Sequence, residues 1–182
     1  MKLYHYAKKE NTIMQEGLLA FSKSALFNLN DYNKRAVGLN TKADIITWME
    51  SCFEGRSRGI RFFTEPIKWH EKAIVVLKKF IDNRYLYSID LNRMERDSLI
   101  EAVYVSPPLS AHPDYNEDDF HFRWGCDEIY IKLSSIKDID FSPIDWTVCN
   151  DNMGRRFAFV RYYLLIIKDG VIPPKYIKQE NI

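Results

Sequence analysis

Among the side chains able to do chemistry, the first is an imidazole set between rings, in Lys2-Leu3-Tyr4-His5-Tyr6-Ala7. Held on a strand, His5 either works at a site, as a proton carrier can, or is a satisfied core histidine. A carboxylate, Glu128, opens the strand-like run Glu128-Ile129-Tyr130-Ile131, where a solvated edge charge is the ordinary role. Three thiols, Cys52, Cys126 and Cys149, together with His70, His112 and His121, offer a nucleophile and base, although no cysteine sits in a recognisable motif. Arginines lie near aromatics in Arg56-Ser57-Arg58-Gly59-Ile60-Arg61 and again at Arg155-Arg156. Such clusters either meet a nucleic-acid backbone or solvate a loop. The run Asp114-Tyr115-Asn116-Glu117-Asp118-Asp119 has oxygens for a cation, but it lacks the glycine and ligand spacing of an EF-hand and reads as solvated loop.

The elements that must hold these groups follow from pattern. A strand ends near Ala7, and a short helix spans 11–16, with Asn11 or Thr12 as its cap and Gly17 as its αL terminator. Ile13 and Leu18 anchor it. Residues 21–40 are polar and irregular. Thr41 as N-cap and Asp44 as first-turn acid predict a helix to about Phe53, stopped by Gly55. Ile60-Arg61-Phe62-Phe63-Thr64 reads as a strand with bulky residues on both faces, and Pro66 opens a helix over 67–81. Alternation predicts strands at 85–91, 100–106 and 127–133, with a turn or short helix at 92–98 and a loop over 109–122. The mostly apolar stretch 157–167 is expected to be one buried strand. No internal repeat, low-complexity linker or domain boundary is visible, so the chain is expected to form a single α+β domain over 1–182.

Composition narrows the classes. A chain of 182 residues, 46% hydrophobic and 14% aromatic, can bury well over half its surface. A net charge of +1 supplies no global field toward nucleic acid or membrane. The longest apolar run, 162–167, is too short to cross a bilayer, and Lys8, Lys9 and Glu10 interrupt any leader-like start. Widely spaced cysteines without a Cys-x-x-Cys motif argue for reduced thiols in a cytoplasmic setting, without a structural metal.

Taken in order, Tyr4-His5-Tyr6 with Gly17-Leu18, then Phe62-Phe63-Thr64 before a helix, then Glu128-Ile129-Tyr130-Ile131, resemble the layout of the ADP-ribosyltransferase superfamily. The likeness is to its His-Tyr-Glu, diphtheria-toxin-like branch, and it covers roughly residues 2 to 140 through short motifs. It implies a split mixed or antiparallel sheet flanked by short helices, with NAD as substrate in a cleft between the strand of His5 and the strand of Glu128. By the same resemblance, His5 bonds a ribose hydroxyl or the adenylate side of NAD. Tyr6, Phe62, Phe63 and Thr64 shape the nicotinamide pocket, with a phenylalanine ring as the stacking wall. Glu128 accepts from the nicotinamide ribose and steadies the oxocarbenium-like cation as nicotinamide leaves, much as a glycosidase carboxylate does. Arg35, Arg56, Arg58 or Arg61 meets the pyrophosphate, the choice among them being open, and Arg61 is counted with the cofactor-binding residues.

Two departures mark the chain. Phe62-Phe63 replaces the middle tyrosine and loses its hydroxyl, and Cys126 stands where many members place a residue that orients the acceptor. The resemblance therefore implies a mono-ADP-ribosyltransferase acting on a protein or nucleic-acid target, in the manner of a toxin, effector or phage protein. Its alternatives are a silent binding module on the same fold and a cysteine-dependent transferase or hydrolase.

Overall fold

The computed structural model describes residues 1–24, 39–66, 84–106, 130–142, 146–150, 156–160 and 162–181, with 146–150 and 156–160 as strand backbone. The helix expected over 67–81 and the loop expected over 109–122 lie outside the described residues, as do Arg35, His70, His112, Asp114 to Asp119, His121, Cys126, Glu128 and Arg155.

The described chain is mixed α and β, with antiparallel ladders and few helices, as an α+β reading requires. Strand β1 (Lys2–Lys8) pairs along its whole length with β4 (Arg84–Asp90), which also pairs with β11 (Ile177–Glu180). A second sheet has the order β3-β9-β5-β6, built from β3 (Gly59–Phe62), β9 (Tyr163–Ile167), β5 (Ile100–Val105) and β6 (Ile131–Leu133). Two small ladders pair β2 (Leu18–Leu19) with β10 (Val171–Ile172) and β7 (Trp146–Asn150) with β8 (Arg156–Val160).

The stretch expected to be one strand over 157–167 is therefore two strands in different sheets, β8 and β9. Only β9 is shown buried, at every one of its positions. A strand covered on both faces reads as a continuous apolar run, which is why Tyr163-Leu164-Leu165-Ile166-Ile167 lacks alternation. Between the sheets lies one core, including Leu3, Ile60, Phe62, Tyr87, Ile89, Val103, Tyr163, Leu165 and Ile167.

Local chemistry sets the short helices. Helix α1 (Ile13–Glu16) takes its N-terminal bond from Asn11, whose Oδ1 accepts from the Ile13 amide at 3.1 Å and from the Tyr87 hydroxyl at 3.0 Å. Gly17 ends it at φ 93° and ψ 176°, an extended left-handed conformation open essentially to glycine, rather than the αL geometry expected. Helix α2 (Lys42–Cys52) starts in a capping box: Asp44 N–H donates to Thr41 Oγ1, and Thr41 N–H donates to Asp44 Oδ2. Helix α3 (Leu91–Arg96) is capped by Asp90 and buries Leu91 and Met94.

Candidate functional site

The two sheets meet at the motif residues. Among the described residues, a single bridge joins β1 to the chain just past β3: Tyr4 N–H donates to the Phe63 carbonyl and Phe63 N–H to the Tyr4 carbonyl, each at 2.8 Å. Next to it, the His5 ring donates from Nδ1 to the Arg61 carbonyl oxygen at 2.8 Å. A carbonyl only accepts, so the proton is on Nδ1 and Nε2 keeps its lone pair in the neutral ring. Burial lowers the His5 pKa from 6.5, with the bond to Arg61 working in the opposite direction. The result is a neutral, oriented imidazole with one nitrogen able to accept an O–H.

Sequence parity divides the candidate residues between two faces. Bridged partners share a face, and residues two apart along a strand share it too. Tyr4, Tyr6, Phe63 and Arg61 therefore lie on one side, where the rings of Tyr6 and Phe63 meet edge-on at 6.3 Å. His5 and Phe62 lie on the other, with ring centroids 5.7 Å apart. Phe62 is fully buried at 0% exposure, whereas Phe63 and Thr64 are half-buried. Of the two phenylalanines expected to offer a stacking wall, only Phe63 keeps surface for a ligand.

The strand expected to carry Glu128 is not the neighbour of the His5 strand. The described part of that strand is β6, which begins at Ile131 and forms the far edge of its sheet, with β5, β9 and β3 between it and β1. The link across this span is made by side chains. Arg61 places its guanidinium 4.9 Å from the Tyr162 ring centroid. The Tyr162 and Tyr130 hydroxyls bond at 2.7 Å, and Tyr130 stands two residues past Glu128.

Arg56 corrects the reading of 56–61 as a solvated basic loop. The segment Arg56–Arg58 is a 3-10 turn, and Arg56 is only 8% exposed. Its guanidinium lies 5.0 Å from the Trp48 ring centroid, 5.8 Å from Phe53 and 5.5 Å from Tyr130. Such a desolvated cation gains from several ring faces at once. Glu50 holds the turn, accepting from the Gly55 amide at 2.6 Å, the Ser57 amide at 3.1 Å and the Ser57 hydroxyl. Burial pushes the Glu50 carboxyl up, but these bonds and the charge of Arg58 outweigh it and hold its pKa below the ordinary 4.5. Arg58 pairs with Glu101 on β5. No sequence pattern links Arg56 to Trp48 and Tyr130, so its enclosure was not foreseeable. Its spacing within a basic aromatic cluster was the available signal.

Of the cysteines, Cys52 is a free, exposed thiol bonded to the Trp48 carbonyl at 3.4 Å, with Cys126 outside the described residues and the Cys149 side chain likewise. Among the described residues, no group of three or more His, Cys, Asp or Glu is placed to hold a metal ion, and no helix is long and apolar enough to cross a membrane. No protein-family model matches the chain, no curated protein is significantly similar to it, and no solved structure matches it.

Proposed function

We propose that the chain is an NAD-dependent mono-ADP-ribosyltransferase with a split-sheet core, acting on a macromolecular target. The observation that carries this reading is the seam, where the Tyr4-His5-Tyr6 strand meets Phe62-Phe63-Thr64 through the Tyr4–Phe63 bridge, with His5 pinned by the Arg61 carbonyl. A neutral His5 whose Nε2 accepts suits a ribose hydroxyl. Phe63 gives a ring surface at the same seam, packed edge-on against the buried Tyr6 ring, and Thr64 follows it. Glu128 remains the carboxylate expected to steady the cation formed as nicotinamide departs.

The test is nicotinamide release from NAD by the purified chain, alone and with cell lysate, beside Glu128→Gln and His5→Ala. Glu128→Gln keeps the shape and removes the charge, and a fall of at least about 100-fold is expected, the scale of losing a preorganised electrostatic group. A second reading, a silent binding module on the same fold, is favoured by the full burial of Phe62 and by the separation of His5 from Phe63 on two faces. Absence of release together with absence of any NAD-induced thermal shift would select it.

A further inference from the structure

The four-stranded sheet turns one face to the core, and its other face, which begins at Arg61 beside the seam, extends away from the proposed NAD residues as a row of rings and cations. Cross-strand register sets Arg61, Leu164, Tyr104 and Lys132 in one row across all four strands. Tyr162 and Tyr130, each two residues before a member of that row, share the face. Phe53, at the end of α2, stacks on Tyr104 at 4.2 Å between centroids and 24° between planes, and meets Tyr130 edge-on at 5.6 Å. Leu164, Ile166 and the Tyr162 ring are buried, whereas Trp48, Phe53, Tyr104 and Tyr130 are half-buried and Lys132 is exposed.

We infer that this face is a stacking platform for a single-stranded nucleic acid, which is the macromolecular target of the proposed transferase. The choice of target rests on the transferase reading, whereas the binding itself does not. Bases stack on flat rings regardless of sequence, and a cation beside each ring meets the backbone. Of the acids nearby, Glu50 is held by the turn amides and Glu101 by Arg58. Glu54 is exposed and its charge acts on Tyr104, so the bound strand's backbone would run on the Lys132 side of that ring. A lysine in register with a half-buried tyrosine also fits a phosphate better than a protein surface, where lysine is depleted. With few phosphate contacts, the salt dependence is shallow: affinity falls less than about tenfold over a fourfold rise in salt.

The experiment is fluorescence anisotropy of the full chain, without NAD, on fluorescein-labelled oligodeoxythymidylate and oligoriboadenylate of about 12 nucleotides, a length within the usual site sizes. The duplex of the same length is the competitor. Binding of the single strands, weak competition by duplex, and a loss of roughly tenfold or more in Tyr104→Ala are expected. Lys132→Glu is expected to weaken binding several-fold. Tyr104→Phe and Tyr104→Leu guard against a folding artefact, since a stacking role is kept by Phe and lost with Leu while both retain the melting profile. No binding at low salt, equal binding by Tyr104→Leu, or tighter binding of duplex would overturn the platform. NAD turnover without oligonucleotide binding removes the platform alone. Oligonucleotide binding in wild type and Glu128→Gln without NAD turnover removes the transferase reading alone.

Discussion

The two faces of the β3-β9-β5-β6 sheet are made by the same strands and solve opposite problems. One presents Ile60, Phe62, Val103, Tyr163 and Leu165 to the core. The other alternates arginine, lysine and tyrosine with the buried Leu164 and Ile166. On the first face, burial area sets the energetics, and any lost methylene leaves a cavity. On the second, the organising contacts are one enclosed guanidinium and ring pairs, among which Trp48, Phe53, Tyr104 and Tyr130 are half-buried and Tyr162 is buried. The difference teaches that this sheet is not simply half core and half solvent. Its outer face is organised, and Arg56 is the point at which organisation there also becomes stability.

The largest effect should come from the core side. Leu165→Ala, at a fully buried position, is expected to cost about 2–5 kcal/mol in denaturant unfolding. Tyr104→Ala on the outer face should cost only about 1 kcal/mol, the scale of a ring pair. Equal costs would erase the contrast. Next comes Arg56→Ala, expected to remove about 2 kcal/mol through its three ring contacts and to shift Trp48 emission. Arg56→Lys should recover part of the stability, and full recovery would reduce the cage to a simple charge.

Glu50→Gln sharpens the comparison through pH. The folded carboxyl titrates below its unfolded value of 4.5, so its contribution is complete above that value and is lost as pH falls through the folded pKa. Wild type should therefore lose more stability than Glu50→Gln on acidification below about pH 4.5, read by thermal melts across pH. The smallest effect is expected for His5→Gln. With a folded pKa below 6.5, His5 contributes fully above that value, and the contribution disappears as pH drops below it. The variant should flatten this part of the stability profile, and an unchanged slope would mean that the His5 ring is not titrating from a desolvated state.

Much of the scaffold could be read in the residues. Thr41 with Asp44 and then Gly55 marked both ends of α2. The alternation of 85–91 and 100–106 located β4 and β5 within a residue. What escaped was non-local. The β11 strand, Ile-Lys-Gln-Glu, buries one residue and earns its place only by pairing with β4, a partner far away in sequence. The apolar run around Tyr163 hid a change of sheet, because a run without polar punctuation gives no cue for where one ladder ends. At the site, the Tyr4-His5-Tyr6 and Phe62-Phe63-Thr64 motifs gave the right neighbours, but parity between strands, which sends His5 and Phe63 to opposite faces, depends on the bridge register. Arg56 was legible as a charge and not as a buried one, because its rings come from α2 and from beside β6.

The reciprocal pair of hydrogen bonds between Tyr4 and Phe63 has a consequence for how motion is shared through the molecule. Along β1 and β4, seven consecutive residue pairs must separate together, so that ladder behaves as a stiff plate. At the seam, among the described residues, the backbone ladder is reduced to two amides, with the His5–Arg61 bond beside them, so this line carries far fewer backbone bonds than either plate. Solvent exchange at the Tyr4 and Phe63 amides thus reads out the mutual docking of the plates, separately from the integrity of either one. Any ligand that grips both sides of that line would slow these two protons before it slowed any others.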